Sequence, residues 1–399
     1  MTIAAVVAIA LVPLAGVLLL NLISDILSLM THAPRRFVTG SQKAGLPVRA
    51  RLLVLVPAHD EAMLIERCVR SLLSMEIRRS SCDVFVLADN CSDSTAEIAA
   101  AAGASVLSRD NPAQRGKPRA IEWALSKLPV GDYDAVAIVD ADTVVDARFA
   151  DALAEHAPLR DVALQSYFGL SNEGDSWLSL LGGLMARMRY EGQYILKAAS
   201  GLNCPLTGNG MCLGTALLAR GGWAPDSLTE NWELYARYTA AGERIVLAAN
   251  ARIYSQEAHT LELSATQRRR WQAGRWIVLR DHWRSLLTSK RINWHQRIDA
   301  LAELSSPGPV LGATLALASA VLLLWLGGTF AETVAAAFLL SLTPTVVWTL
   351  LALERHPRRV ELLLAFFRLP VYMFWRVGVA ALAISTGARG AWHRSPRHT

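Results

Sequence analysis

None of the five cysteines (Cys68, Cys82, Cys91, Cys204 and Cys212) stands in a CxxC pair. That spacing excludes a zinc ribbon or a dithiol redox centre as the organising feature. In a reducing compartment it leaves packed or free thiols as the expected state. Neither GxxxxGK[ST] nor GxGxxG occurs, so nucleotide binding of the P-loop or dinucleotide type is excluded. Charge is missing altogether from Thr2 to Leu20, from Pro307 to Ala331 and from Thr333 to Leu353. No basic residue precedes the first of these runs and no small-residue cleavage site follows it, which selects a retained membrane helix over a signal peptide. A module of interleaved basic and aromatic residues is also lacking, so no nucleic-acid partner is expected.

What is present is sharply segregated. The 399 residues are 52% hydrophobic yet 19% charged, with a mean hydropathy of +0.28. The first charge-free run approaches the roughly 20 apolar residues that cross a bilayer core. The second and third, joined at Gly327-Gly328, read as a membrane hairpin. Arg35, Arg36, Lys43, Arg49 and Arg51 follow the first run; Arg275, Arg280, Arg284, Lys290 and Arg291 precede the hairpin; Arg355, Arg358 and Arg359 follow it. Positive flanks mark the cytoplasmic side. The expectation is therefore an integral inner-membrane protein with its N-terminus outside and the region from about 35 to 300 in the cytoplasm. The net charge of +6 suits contact with anionic membrane lipids. From Glu361 to Ile384 the chain is apolar but interrupted by Arg368, Pro370 and Arg376. Charge at mid-membrane is costly, and the tail is basic, so this segment reads as an amphipathic, interfacial helix kinked at Pro370 in preference to a fourth span. The expected organisation is a membrane helix over 1–30, a cytoplasmic domain over 31–260, interfacial helices over 261–300, the hairpin over 307–353 and the amphipathic segment over 354–399.

Within the cytoplasmic part, Leu52–Val56 reads as a buried strand broken by Pro57, with a helix from Glu61 to about Met75. "DVFVLADN", "ASVL" and "AVAIVDAD" read as further strands, and Thr95–Ala102 and Gly116–Leu128 as helices. Apolar strands alternating with helices predict an α/β domain with a mostly parallel sheet. Ligands of such sheets collect beyond the carboxyl ends of the strands. Three strands end there in acids: Asp60 and Glu61, Asp89 and Asp93, Asp140 and Asp142. In "VDAD" the two aspartates stand at i and i+2, so in extended backbone both face one point. Hard oxygens so placed suit Mg²⁺ or Mn²⁺ completed by ligand phosphates. In "LTENWELYARYTA", Thr229 precedes Glu230 and Glu233 as if opening a helix with acids in its first turn.

The ordered segments "VPAHDEA", "LADNCSDST", "RGKPRAIEWAL", "VDADTVVD", "LTGNGMCL", "TENWEL" and "QRRRW" resemble the membrane-bound family 2 glycosyltransferases, which include cellulose, chitin and hyaluronan synthases. The resemblance covers about residues 50 to 290. It implies a GT-A fold and an inverting transfer from a nucleotide sugar, with a UDP-sugar expected, to a lipid-linked or polysaccharide acceptor. By position it implies donor-site roles for Pro57, Glu61, Asp89, Asp93, Lys117 and Asp140, with Glu61 and Asp89 toward the uridine. It implies a metal at Asp140 and Asp142. Gln267, Arg270 and Trp271 match QxxRW, where the arginine would neutralise the departing diphosphate and the tryptophan would stack on a sugar. Gly208, Asn209 and Gly210 would belong to the acceptor wall. The family's base is the aspartate of a TED motif; here that place is taken by Asn231, which cannot accept a proton at neutral pH. Either Glu230 takes over as base, or Glu233 does, or the chain is an inactive sugar-nucleotide-binding scaffold; Glu230 is preferred because it belongs to the motif itself. A processive polysaccharide synthase is the alternative within the class, for which a homo-oligomer or a partner membrane subunit would supply further helices.

Overall fold

Buried leucine, valine and alanine runs build one eight-stranded sheet in this computed structural model, which describes residues 2–31, 49–223, 229–258 and 260–386. The strands are β1 (Ala50–Ala58), β2 (Ser80–Asp89), β3 (Ser105–Arg109), β4 (Ala135–Ile138), β5 (Val144–Val145), β6 (Ala163–Leu170), β7 (Met211–Gly214) and β8 (Ile245–Ser255). Their order is β3-β2-β1-β4-β7-β6-β8-β5. The half from β3 to β4 is parallel throughout. β7 enters antiparallel to both neighbours, and β5 pairs antiparallel with β8. Along β1 the side chains alternate between faces. Leu52, Val54 and Val56 join Ile65, Val69 and Leu72 of helix Ile65–Leu73 in one core, while Leu53 and Leu55 are equally buried on the other face. Each such leucine contributes about 2 kcal/mol by leaving water.

Pro57 does not break β1, which continues to Ala58 with Pro57 opposite Leu87. The ladder to β4 runs to Ile138 opposite Leu55 with Val139 N–H donating to the Leu55 carbonyl, and it stops where the next bond would need an N–H that Pro57 lacks. The following helix starts at Ile65, later than the expected Glu61: residues 62–64 form a turn closed by Leu64 N–H on the Glu61 carbonyl, and Leu64, at φ −121°, stands outside the helical range as the N-cap.

The first turn of helix Phe149–Ala154 is tied to the start of β2 by Asp151. Its carboxylate accepts from Arg79 N (2.9 Å), Arg78 N (3.0 Å) and Ser80 Oγ (2.9 Å). Burial alone would raise this carboxyl, but the two amides and the hydroxyl outweigh it and hold the group below its ordinary value. A depressed folded value stabilises above the unfolded value near 3.9 and the contribution is lost as pH falls through the folded one. We expect Asp151→Ala to cost about 2 kcal/mol or more at neutral pH. In urea titrations the gap from the parent should stay constant down to about pH 4 and then close.

The sheet belongs to a compact unit drawn from residues 34–172 and 203–257; the segments up to 33, 173–202 and from 258 onward form a second, helical unit. Three of its helical stretches, Ile3–Thr31, Pro309–Leu326 and Thr329–Glu354, are long and apolar enough to cross a membrane. Ala4, Ala8 and Ala15 pack with Ala316, Ala320, Ala331 and Ala335, small side chains that let the helices approach closely. Gly327 and Gly328 take φ of +70° and +99° at the hairpin turn, where a side chain would be strained. The C-terminal pair Arg359–Phe366 and Leu369–Ala383 bends by 62°, with Pro370 in the first turn of the second helix. Arg35, Arg36, Lys43 and the basic tail from 387 onward lie outside the described residues.

Candidate active site

Lys117 opens helix Lys117–Lys127 and joins three parts of the sheet unit. Its Nζ donates to Asp140 Oδ1 (2.5 Å) and to the Gly208 carbonyl (2.5 Å), and lies 3.8 Å from Glu230 Oε1. Burial alone would lower the lysine, but the Asp140 and Glu230 carboxylates outweigh it and hold the ammonium above its ordinary value. The group is therefore a fixed cation throughout the working pH range.

Asp140 and Asp142 follow the end of β4. The backbone N–H of Asp140 donates to Asn209 Oδ1 (3.1 Å). Asn209 Nδ2 in turn reaches Thr143 Oγ1 (2.8 Å) and Ser255 Oγ (3.1 Å), so one buried amide holds the segment after β4 against the end of β8. Thr143 Oγ1 also lies 3.2 Å from Asp142 Oδ1. The Asn209 carbonyl and the Thr207 N–H are both taken by Gln165 of β6 (2.9 and 2.8 Å). Gly208 and Gly210 adopt φ of +93° and +66°; at Gly210 a Cβ would meet Ile253 Cδ1 at 2.6 Å. The turn from Thr207 to Gly210 is thus shaped by its own two glycines and clamped from beneath.

Asp140 and Asp142 offer hard carboxylate oxygens at i and i+2, and Asp140 Oδ2 has no hydrogen bond among the described residues, a donor set that fits Mg²⁺ or Mn²⁺. A second acidic group, Asp60, Cys91 and Asp93, places its ligand atoms within 4.8 Å of one another. Its carboxylates are already engaged: Asp60 accepts from Ser92 N (2.6 Å), and Asp93 from Ala62 N (3.1 Å) and Thr95 N (3.0 Å). Burial also pushes the Cys91 thiol up, away from the thiolate that ligates metals. That group clasps the loops after β1 and β2.

Asp89 ends β2 and is buried against Arg109, whose Nη1 donates to Asp89 Oδ1 (2.5 Å). Glu61 is also buried, its N–H bonded to Thr95 Oγ1 (2.7 Å). Helix Glu230–Ala240 begins as expected, but Thr229 does not cap it: the hydroxyl is buried and finds no partner among the described residues. Glu230 is buried and turned to Lys117, while Glu233 is half-buried. Asn231 is buried with its amide donating to the Leu206 carbonyl (2.9 Å), beside the Thr207–Gly210 turn. Gln267, Arg270 and Trp271 lie on helix Leu261–Thr288 of the helical unit, with Trp271 45% exposed.

The family model described as Glycosyltransferase like family 2 matches residues 50–274. The chain belongs to this glycosyltransferase family. A beta-monoglucosyldiacylglycerol synthase of Synechocystis is 26% identical over 258 residues, 62% of this chain and 52% of the relative. The enzyme of the same name from Trichormus variabilis is 26% identical over 249 residues, 59% of this chain and 51% of the relative. The chain spans about half the length of the curated relatives it matches. Among solved structures, the mannosyltransferase of Pyrobaculum calidifontis, in complex with GDP-Man and Mn²⁺, aligns over 95% of this chain and 99% of its own with a TM-score of 0.52. At 17% identity this shows a shared fold.

In this family 2 glycosyltransferase the sheet unit brings together Asp140, Lys117, Gly208, Asn209 and Glu230 through direct or shared hydrogen bonds and ion pairs, and sets Asn231 beside Gly208. Sequence reading missed Arg109, Gln165, Thr143 and Ser255. Arg109 had a recoverable signal, since it ends β3 directly opposite Asp89 in the parallel register. Gln165 and Ser255 had none, because their strands were not foreseen.

Proposed function

We propose that this chain is an inverting membrane glycosyltransferase that moves a sugar from a nucleotide sugar, a UDP-sugar, to a lipid acceptor at the cytoplasmic face of the inner membrane. The observation that carries this reading is the convergence of Asp140, the Gly208 carbonyl and Glu230 on one ammonium group. The donor-side acid, the acceptor-side turn and a buried carboxylate are thereby neighbours. The relatives' names, which specify a glucosylated diacylglycerol, favour a lipid over a polymer as acceptor.

In the reaction so read, Glu230 takes the proton of the acceptor hydroxyl as its oxygen bonds to the anomeric carbon. The bond from that carbon to the diphosphate breaks on the opposite face, with inversion. Lys117 offsets charge on the departing diphosphate. Asp140 and Asp142 would hold Mg²⁺ or Mn²⁺, which supplies further neutralisation of that group. Glu61 and Asp89 hold the nucleoside end.

The test gives purified full-length protein a panel of radiolabelled nucleotide sugars, GDP-mannose included, with Mg²⁺ or Mn²⁺ and diacylglycerol, total membrane lipids or oligosaccharide. Radiolabelled glycolipid from one donor is expected. Polymer on the oligosaccharide would favour processive synthesis, the reading that QxxRW supports. Neither transfer nor hydrolysis with any donor would leave an inactive scaffold.

Asn231 is part of this reading. Its amide donates to a backbone carbonyl, which an ionised aspartate cannot do. Asn231→Asp therefore faces a carboxylate with the Leu206 oxygen and is expected to cost about 1–3 kcal/mol of stability. Turnover should not rise. A rise in kcat with unchanged thermal stability would show that the position accommodates the base of the family's TED motif.

A further inference from the structure

The helical unit contains a cavity with no part in the chemistry above. It lies where the first apolar span, the π-helical turn Met188–Gln193 and the break between helices Thr329–Ser341 and Thr343–Glu354 meet. Turns of the π type are uncommon and recur at functional sites. One part of the lining is apolar, with Leu18, Met188 and Leu342; the other carries Asn21, Arg189, Gln193 and Glu303.

The polar groups are specific in what they leave unused. Lys197, buried, donates to Glu303 Oε2 (2.8 Å) and lies 2.9 Å from Asp299 Oδ1, which also accepts from Ser24 Oγ (2.7 Å). Glu303 is only 5% exposed, and its Oε1 has no hydrogen bond among the described residues. The side-chain amides of Asn21 and Gln193 have none either. The cavity thus presents two amide donors and a buried carboxylate acceptor. Of the described residues lining it, Arg189 and Glu303 are charged, one of each sign. A phosphate would meet a carboxylate with no surplus cation to offset it, whereas a hydroxyl can accept from an amide and donate to Glu303.

We propose that this cavity binds a membrane lipid with an uncharged, hydroxyl-bearing headgroup, held by Asn21, Gln193 and Glu303, its acyl chains running past Leu18, Met188 and Leu342. The site would fill from the bilayer, since two of its walls belong to candidate spans. The inference stands on the helical unit alone and requires no sugar transfer.

The test uses the full chain in phosphatidylcholine nanodiscs without any nucleotide sugar. The probe is a diacylglycerol carrying a photoactivatable diazirine near the glycerol. Saturable labelling of peptides covering 185–193 and 341–348 is expected, competed by unlabelled diacylglycerol and not by phosphatidic acid. Asn21→Leu/Gln193→Leu should cut labelling at least about tenfold, the loss of more than one hydrogen bond, and Ala313→Phe should block it by filling the cavity. Because neither amide has a hydrogen-bond partner among the described residues, the double variant should melt with the parent, which separates lost binding from lost folding. Non-saturable labelling over all span surfaces, or labelling unchanged in both variants, would overturn the site. Equal competition by phosphatidic acid would overturn the uncharged headgroup. Failure here with intact sugar transfer would leave the transferase reading standing, and the reverse holds equally.

Discussion

Glu230→Gln is expected to lower kcat by about 10³-fold while leaving the fold and the donor affinity near those of the parent, the loss typical of a removed general base. Glutamine keeps the volume and the hydrogen-bonding oxygen beside Lys117 but cannot take a proton. Glu233→Gln is the matched control: it removes a carboxylate one turn along the same helix, half-buried and, among the described residues, not paired with Lys117. Single-turnover transfer and donor binding should be measured for both. Loss confined to Glu233→Gln would move the base, and equal loss in both would point to damage of the helix instead. Chemistry and binding are separated by the donor affinity, which a base does not set.

Asp142→Asn should be nearly as severe, lowering turnover by about 10²–10³-fold, the scale on which charge stabilisation at a leaving group is lost. The direct readout is Mn²⁺ binding by electron paramagnetic resonance in the presence of nucleoside diphosphate. A weaker site is expected, since an amide supplies one neutral oxygen where a carboxylate supplied a charged one. Asp142 suits this test better than Asp140. Asp140 also pairs with Lys117, so Asp140→Asn would disturb the neighbourhood of Glu230 as well as the metal. Unchanged Mn²⁺ binding in Asp142→Asn would remove that residue from the ligand set.

Much of the parallel half of the sheet was legible because the signals are local. β1, β2 and β4 carry buried apolar runs, β3 is a short extended stretch between turns, and helices fill the intervals. Helix Glu230–Ala240 and the Gly327-Gly328 hairpin were legible for the same reason. The half from β5 to β8 was not. β5 has two residues, β6 lies parallel to β8 across some 80 residues of chain, and β7 reverses direction between β4 and β6. No window of sequence records such pairings, which follow from which strand edges remain open once the parallel half has formed.

The same division runs through the site. Residue types and their order along the chain determined the family, the candidate spans and most of the acids and glycines named above. The tertiary structure decided how they are used. Asp60 and Asp93, acids beyond the first two strands, accept from loop N–H groups. Asn209, one polar residue among many, secures the segment carrying Asp140 and Asp142. Asn231, at the place of a base, braces Leu206, while Glu230 beside it faces Lys117. A side chain's chemistry is set by its type, but its partners come from chain segments up to a hundred or more residues away, and only folding brings those within hydrogen-bond reach.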